Sequence, residues 1–134
     1  MDTISTARAE EIMRRACARA EAIGVAACIA IVDAGAHLKT FSRMDGAFAG
    51  AVDVCQRKAR TAALFPLPTG DFGQLIAGQQ LTGMELSNGG LAAFHGGLPI
   101  MEEGRLLGAI GVSGGSAEQD LDIAGHALAA RGAD

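Results

Sequence analysis

Val25-Ala26-Ala27-Cys28-Ile29-Ala30-Ile31-Val32-Asp33-Ala34-Gly35-Ala36-His37-Leu38-Lys39-Thr40-Phe41-Ser42-Arg43-Met44 is the stretch that decides the fold class. Val25–Val32 is continuous, apolar and partly β-branched, and it runs straight into a turn. That pattern predicts a buried strand. Asp33–Ala36 supplies the turn, and His37–Met44 reads as the returning strand, ended by Asp45-Gly46. A parallel return would need a crossover of a dozen or more residues, so this pair is an antiparallel hairpin. A second hairpin is expected where Leu98–Met101 and Leu106–Val112 flank Glu102-Glu103-Gly104-Arg105.

Helices surround these hairpins. Residues 5–23 place Ala9, Ile12, Met13, Ala16, Cys17, Ala20 and Ile23 on one side at helical spacing. Ser5 is the expected N-cap and Gly24 the expected left-handed stop. Residues 48–64 form a second helix whose inner stripe includes Ala51, Val52, Cys55, Ala59 and Ala62; Pro66 and Pro68 end it. Residues 71–80 predict a short third helix. Residues 83–97 are a Gly-rich loop, with a short strand expected at Leu91–Phe94. Ser116 and Gln119 form a capping box that starts a last helix, with Leu121, Ala124, Gly125 and Leu128 inward. Two hairpins with flanking helices make an α+β fold, an antiparallel sheet covered by helices. The whole chain, 1–134, reads as one domain, without linker or repeat.

Composition narrows the function. Aromatic residues are 4% of the chain, with no Trp or Tyr, so the core must be built from small aliphatic side chains. The net charge of −4 repels a phosphate backbone, and no Lys/Arg cluster of nucleic-acid scale is visible. The apolar run Val25–Val32 is too short to span a bilayer. Cys17, Cys28 and Cys55 are spaced too widely for a zinc pattern, are odd in number, and follow no signal peptide. A reducing, cytoplasmic setting is expected.

Four places carry candidate chemistry. In Gly111-Val112-Ser113-Gly114-Gly115-Ser116 a strand meets a Gly-rich turn and a capped helix. Amides at Ser113, Gly114 and Gly115 suit an anion there, and a plain tight turn is the alternative. Asp120, one turn in, reads as a carboxylate on the helix dipole. The second place is the strand from His37 to Asp45. Alternation puts His37, Lys39, Phe41 and Arg43 on one face and Leu38, Thr40, Ser42 and Met44 on the other, the latter a candidate pocket floor. The alternative is an edge strand with a solvated basic face. Lys58 is the third, a lysine at the edge of the second helix's alanine stripe. It is either a base or anion partner with a lowered pKa, or a snorkelling side chain. The fourth is His95, which precedes Gly96-Gly97 in a loop. It is either a metal ligand or acid/base group, or a solvated histidine. His126 falls on the polar side of the last helix, and Glu102-Glu103 in a hairpin turn.

Six ordered motifs carry a resemblance. They are Val32-Asp33-Ala34-Gly35-Ala36-His37-Leu38; Arg43-Met44-Asp45-Gly46-Ala47; Lys58-Ala59-x-Thr61-Ala62; Gly96-Gly97-Leu98-Pro99-Ile100; Gly108–Gly115; and Gln119-Asp120. In this order they resemble the GlcG/HbpS family, also called the haem-degrading or DUF336 family. The C-terminal domain of PduO-type corrinoid adenosyltransferases is related to it. The resemblance implies a profilin-like fold with about five antiparallel strands and helices on both faces. It also implies homo-oligomers, from dimers to octamers, and haem or another tetrapyrrole as a small-molecule ligand. On that reading Lys58, Arg43 or the Ser113–Gly115 turn meets the propionates and His95 meets the iron. His37, Met44, Asp45, Gly96 and Gly97 line the same site. The alternative is a cofactor-independent catabolic enzyme, a lyase, hydratase or isomerase acting on a small carboxylate or carbonyl compound. Lys58 or His95 is then the base, and Arg43 holds the carboxylate. This chain departs from the family pattern at Ala36, where many members have glycine, and at His95, where many have a small residue or proline.

Overall fold

The computed structural model describes residues 3–129. Helix α1 spans Thr6–Ala22, and the Ser5 hydroxyl accepts from the Arg8 amide at 3.1 Å. That bond satisfies one of the donors every helix start leaves free. Ala9, Ile12, Met13, Ala16 and Ala20 are buried, the stripe read from their spacing. Gly24 adopts φ 74° just past the helix, the left-handed conformation that stops it.

Strands β1 (Cys28–Asp33) and β2 (Leu38–Arg43) form the first hairpin. Strands β3 (Gly97–Glu102) and β4 (Arg105–Ser113) form the second. The hairpins join through β1 and β4, giving the order β2-β1-β4-β3 with every neighbour antiparallel. The described residues thus hold four strands, not five. Leu91–Phe94 does not extend the sheet, and its first two backbone donors are taken elsewhere. Leu91 donates to the Glu85 carbonyl and Ala92 to the Thr61 hydroxyl. The Leu91 side chain packs with Phe72 and Ile76 instead of in a ladder.

Helix α2 runs Ala51–Leu64 and α3 Thr69–Gly78; a 3₁₀ turn follows at Met84–Leu86, and α4 covers Ala117–Ala129. Helices α1 and α4 cover one sheet face over Ile29, Ile31, Ile110 and Val112. Helix α2 covers the other over Cys28, Ala30, Val32 and Ala109. This second layer is built almost wholly of small residues, as expected from the lack of aromatics. Gly111 of β4 has no side chain between sheet and helix, and a Cβ there would overlap the Cys55 carbonyl of α2. Among the described residues no helix is long and apolar enough to cross a membrane.

Two patterns read from the sequence are corrected. Strict alternation in β2 fails because the register slips between Ile31 and Val32: Thr40 pairs with Ile31 and Leu38 with Val32. Lys39 is the bulged residue, and its amine reaches the Thr6 hydroxyl at 2.9 Å. On the face read as a pocket floor, Ser42 is covered by Cys17 of α1 with Sγ–Oγ 3.8 Å, whereas Met44 lines an open cleft. On α4, the buried side is Asp120, Ile123, Ala124 and Ala127, whereas Leu121, Gly125 and Leu128 are only partly buried.

The thiols follow from this packing. Cys28 and Cys55 are fully buried and Cys17 partly exposed. Burial pushes the Cys55 thiol up to about 12, with the nearby Cys28 adding to it, and raises Cys28 as well. Thiolate is the reactive form. A disulfide reagent at pH ~8 is therefore expected to titrate one thiol per native chain, Cys17, and three after denaturation. Rapid native titration of more than one would contradict this packing.

Candidate functional site

The register gathers the candidates at one end of the sheet. Cys28 at the start of β1 pairs with Arg43 at the end of β2 and with Ser113 at the end of β4. Gly97 opens β3 opposite Gly111. The loop 94–96, the turn 113–115 and the residues after Arg43 thus emerge at the same end. His37 does not. Its backbone closes the β1–β2 turn at the opposite end, where the Asp33 amide donates to the His37 carbonyl at 2.8 Å. Its imidazole is exposed and lies 3.5 Å from the Asp33 carboxylate.

Lys58 is the centre of this end. It is 2% exposed, more deeply buried than its place at the edge of the alanine stripe suggests. Its ammonium donates to the Val112 carbonyl at 2.8 Å and to Asp120 Oδ2 at 3.0 Å. The Phe94 ring lies over it, with Nζ 5.1 Å from the centroid. Asp120 is 4% exposed, and its Oδ1 accepts from the Gly115 amide at 2.9 Å. It stands in the first turn of α4, where a carboxylate meets the helix dipole, and it is buried there rather than solvated. It ties the Gly115 turn to α2 across the end of the sheet. A sequence signal for this existed: Asp120 lies four residues before Ala124 and so shares its helix face.

The glycines before β3 are needed for the same contacts. A Cβ on Gly96 would sit 2.6 Å from Lys58 Nζ, and one on Gly97 2.6 Å from the Lys58 carbonyl. Gly96 also has φ 129°, which a side chain would strain. Thr69, at the start of α3, locks this loop. Its hydroxyl accepts from the Gly97 amide at 2.9 Å and donates to the Phe94 carbonyl. His95 is half-buried, its ring lying where a Cβ on Gly70 would be. Among the described residues neither of its ring nitrogens has a hydrogen-bond partner. Phe94, Thr69 and Gly70 carried no motif signal, and only the fold brings them here.

Electrostatics act against both charges of the buried pair. Burial lowers the Lys58 pKa, and the Asp120 charge pulls it partly back. Burial raises the Asp120 pKa, while the Lys58 charge and the Gly115 amide pull it down. Both shifts move toward the neutral pair, so proton transfer across the 3.0 Å hydrogen bond is less unfavourable than it is in water.

Arg43, Met44 and Asp45 line a separate open cleft of about 530 Å³, together with Glu21 and Val25–Ala26 at the end of α1. The Arg43 guanidinium is exposed and has no carboxylate partner among the described residues. Met44 Sδ accepts from the Ala27 amide at 3.4 Å, which holds this wall to β1. Ser113 is buried beside it on β4. Arg43 and His95 thus stand at opposite edges of the same end of the sheet. No group of three or more His, Cys, Asp or Glu side chains gathers as a metal cluster among the described residues.

Residues 4–129 match the family model described as "Haem degrading protein HbpS-like". The chain is 36% identical over 128 residues to a Citrobacter freundii protein described as "Uncharacterized 15.0 kDa protein in dhaT-dhaS intergenic region", over 94% of this chain and 90% of that protein. It is also 36% identical over 130 residues to the corrinoid adenosyltransferase PduO of Citrobacter freundii. That match covers 96% of this chain but only 39% of PduO. Among solved structures, the PduOC:heme complex superimposes with a TM-score of 0.90 at 33% identity, over 96% of this chain and 94% of that one. The chain belongs to the HbpS-like family.

Proposed function

We propose that this member of the HbpS-like family binds haem or a related tetrapyrrole, as a single-domain cytoplasmic protein that self-associates. The observation that carries the reading is the likeness, over nearly the whole chain, to a structure solved with haem bound. The residues present fit such a group. His95 offers an imidazole with two unpartnered nitrogens and would be a suitable donor to haem iron. The exposed Phe94 beside it offers an apolar surface. Arg43 offers a free guanidinium to a propionate. Lys58 is already committed to Val112 and Asp120, so its part in this reading is to hold the His95 loop and the Gly115 turn in place. Bound haem would supply iron-centred ligand or oxygen chemistry; the chain's residues orient it and meet its charges.

Hemin titration tests this. The wild type is expected to shift the Soret band with saturable stoichiometry. His95→Ala is expected to move the Soret maximum, and Arg43→Ala to weaken affinity about 10-fold without moving it, the size of one lost charge-assisted hydrogen bond. Light scattering on the same sample is expected to give a multiple of 13.6 kDa. A spectrum that stays that of free hemin overturns the reading.

A second reading, a cofactor-independent enzyme acting on a small carbonyl or carboxylate compound, is favoured by one observation. Lys58 and Asp120 form a buried amine–carboxylate couple at 3.0 Å, a geometry suited to moving a proton.

A further inference from the structure

We propose that Phe94 is a lid over the Lys58–Asp120 pair, and that beneath it the Lys58 amine condenses with a short, uncharged aliphatic aldehyde. This rests on the second reading above and requires no haem. Four walls enclose Lys58 Nζ: the Val112 carbonyl, the Asp120 carboxylate, the backbone of Gly96 and the ring of Phe94. Three of these are backbone or are held by hydrogen bonds. The fourth is a side chain, 51% exposed, in the bend just before Gly96. Rotating it out breaks one cation–π contact at a half-exposed site, which is a weak restraint. It leaves the rest of the network, including the Thr69 bond to the Phe94 carbonyl, in place.

The chemistry beneath the lid follows from the pair. A proton crosses from Nζ to Asp120 Oδ2 along their hydrogen bond, leaving a neutral amine beside a carboxylic acid. The amine lone pair attacks the carbonyl carbon, the N–C bond forms, and the carbonyl oxygen takes the Asp120 proton. The carboxylate then removes a proton from nitrogen and returns it to the hydroxyl, the C–O bond breaks, and water leaves. The net change is ammonium plus aldehyde to protonated imine plus water, with no oxidant or reductant. The ligand is uncharged because a carboxylate and a carbonyl oxygen already face the amine. It is short because room beside Nζ comes from the swing of the Phe94 ring, while on the Gly96 side even a Cβ would lie 2.6 Å from Nζ and 2.5 Å from the Val112 carbonyl.

The chain has two lysines, Lys39 and Lys58, so the assay reads one against the other. Native protein is incubated with propanal and sodium cyanoborohydride, and the propylated lysine is mapped by peptide mass. Wild type is expected to carry the adduct on Lys58. Phe94→Ala is expected to raise the Lys58 rate relative to Lys39 about 10-fold, and Asp120→Asn to lower it by about 10²-fold, the usual weight of an acid/base group. Labelling confined to Lys39 and the α-amine in both wild type and Phe94→Ala overturns the proposal, even if Asp120→Asn fails to fold. Hydrogen exchange at the propanal α-carbon in D₂O separates the readings. Exchange without a Lys58 adduct overturns the imine and keeps proton transfer by the pair. Absence of both overturns both.

Discussion

Lys58→Met is expected to cost about 3–5 kcal/mol of folding stability, measured by denaturant unfolding, although Met fills much of the same space. The cost comes from the residue left behind. Asp120 is 4% exposed, and without Lys58 its charge keeps only the Gly115 amide at Oδ1. The Val112 carbonyl also loses its donor from Lys58. Asp120→Leu alone is expected to be comparably costly, because it strands a buried ammonium. The double variant Lys58→Met/Asp120→Leu is expected to recover most of the loss, since a buried ion pair and an apolar replacement of similar volume are often nearly equal. The pH dependence checks the assignment. The folded-state pKa of Asp120 lies above its ordinary value of 3.8 even in the wild type, and losing the Lys58 charge raises it further. A group with a raised folded pKa favours folding below its unfolded pKa, and that contribution is lost as pH rises through the folded value. The gap between Lys58→Met and wild type is therefore expected to narrow as pH falls through the carboxylate range. A gap independent of pH would mean that Asp120 is not the stranded charge.

The strand and helix order was legible from this chain because its elements carry their own signals. Val25–Val32 is apolar throughout, and its Cys28–Val32 part pairs on both sides; the Ser5 cap and the Gly24 stop bound α1. What was not legible depends on contacts between elements distant in sequence. Lys58 and Asp120 are sixty-two positions apart, and nothing local to either names the other. The β2 bulge at Lys39 depends on how β1 pairs with it, so alternation within β2 alone misplaced that side chain. His37 sits in a family motif, yet the hairpin it closes carries it to the far end of the sheet from Arg43. Phe94 falls in the stretch read as a short strand, and its place over the Lys58 ammonium has no local signal because that partner lies on α2. In each case the missing information was a pairing between elements.

Gly111→Ala is the substitution expected to damage the fold most per atom added. Gly111 lies in the centre of the sheet, paired with Ala30 on one side and Gly97 on the other. Its missing side chain faces α2 at the point of closest approach. A methyl there would overlap the Cys55 carbonyl and stand 2.5 Å from the Ala59 amide nitrogen. Both obstacles are helix backbone, so no rotamer change relieves the clash, and α2 must move off the sheet. That motion would open the layer of Cys28, Ala30, Ala59 and Ala62 and shift Lys58, one residue away from Ala59. The expected loss is about 3 kcal/mol, the upper end of what overpacking costs, or a fall in Tm of about 10 °C for a chain of this size. Gly125→Ala in α4 is the matched control. Nothing lies within 4 Å of its added Cβ, and glycine inside a helix is itself unfavourable. That variant is expected to gain about 0.5–1 kcal/mol. Equal effects of the two methyls in thermal unfolding would show that α2 does not rest on the sheet through Gly111. Opposite signs would show that the close approach of this helix, and with it the position of Lys58, depends on the absence of one carbon atom.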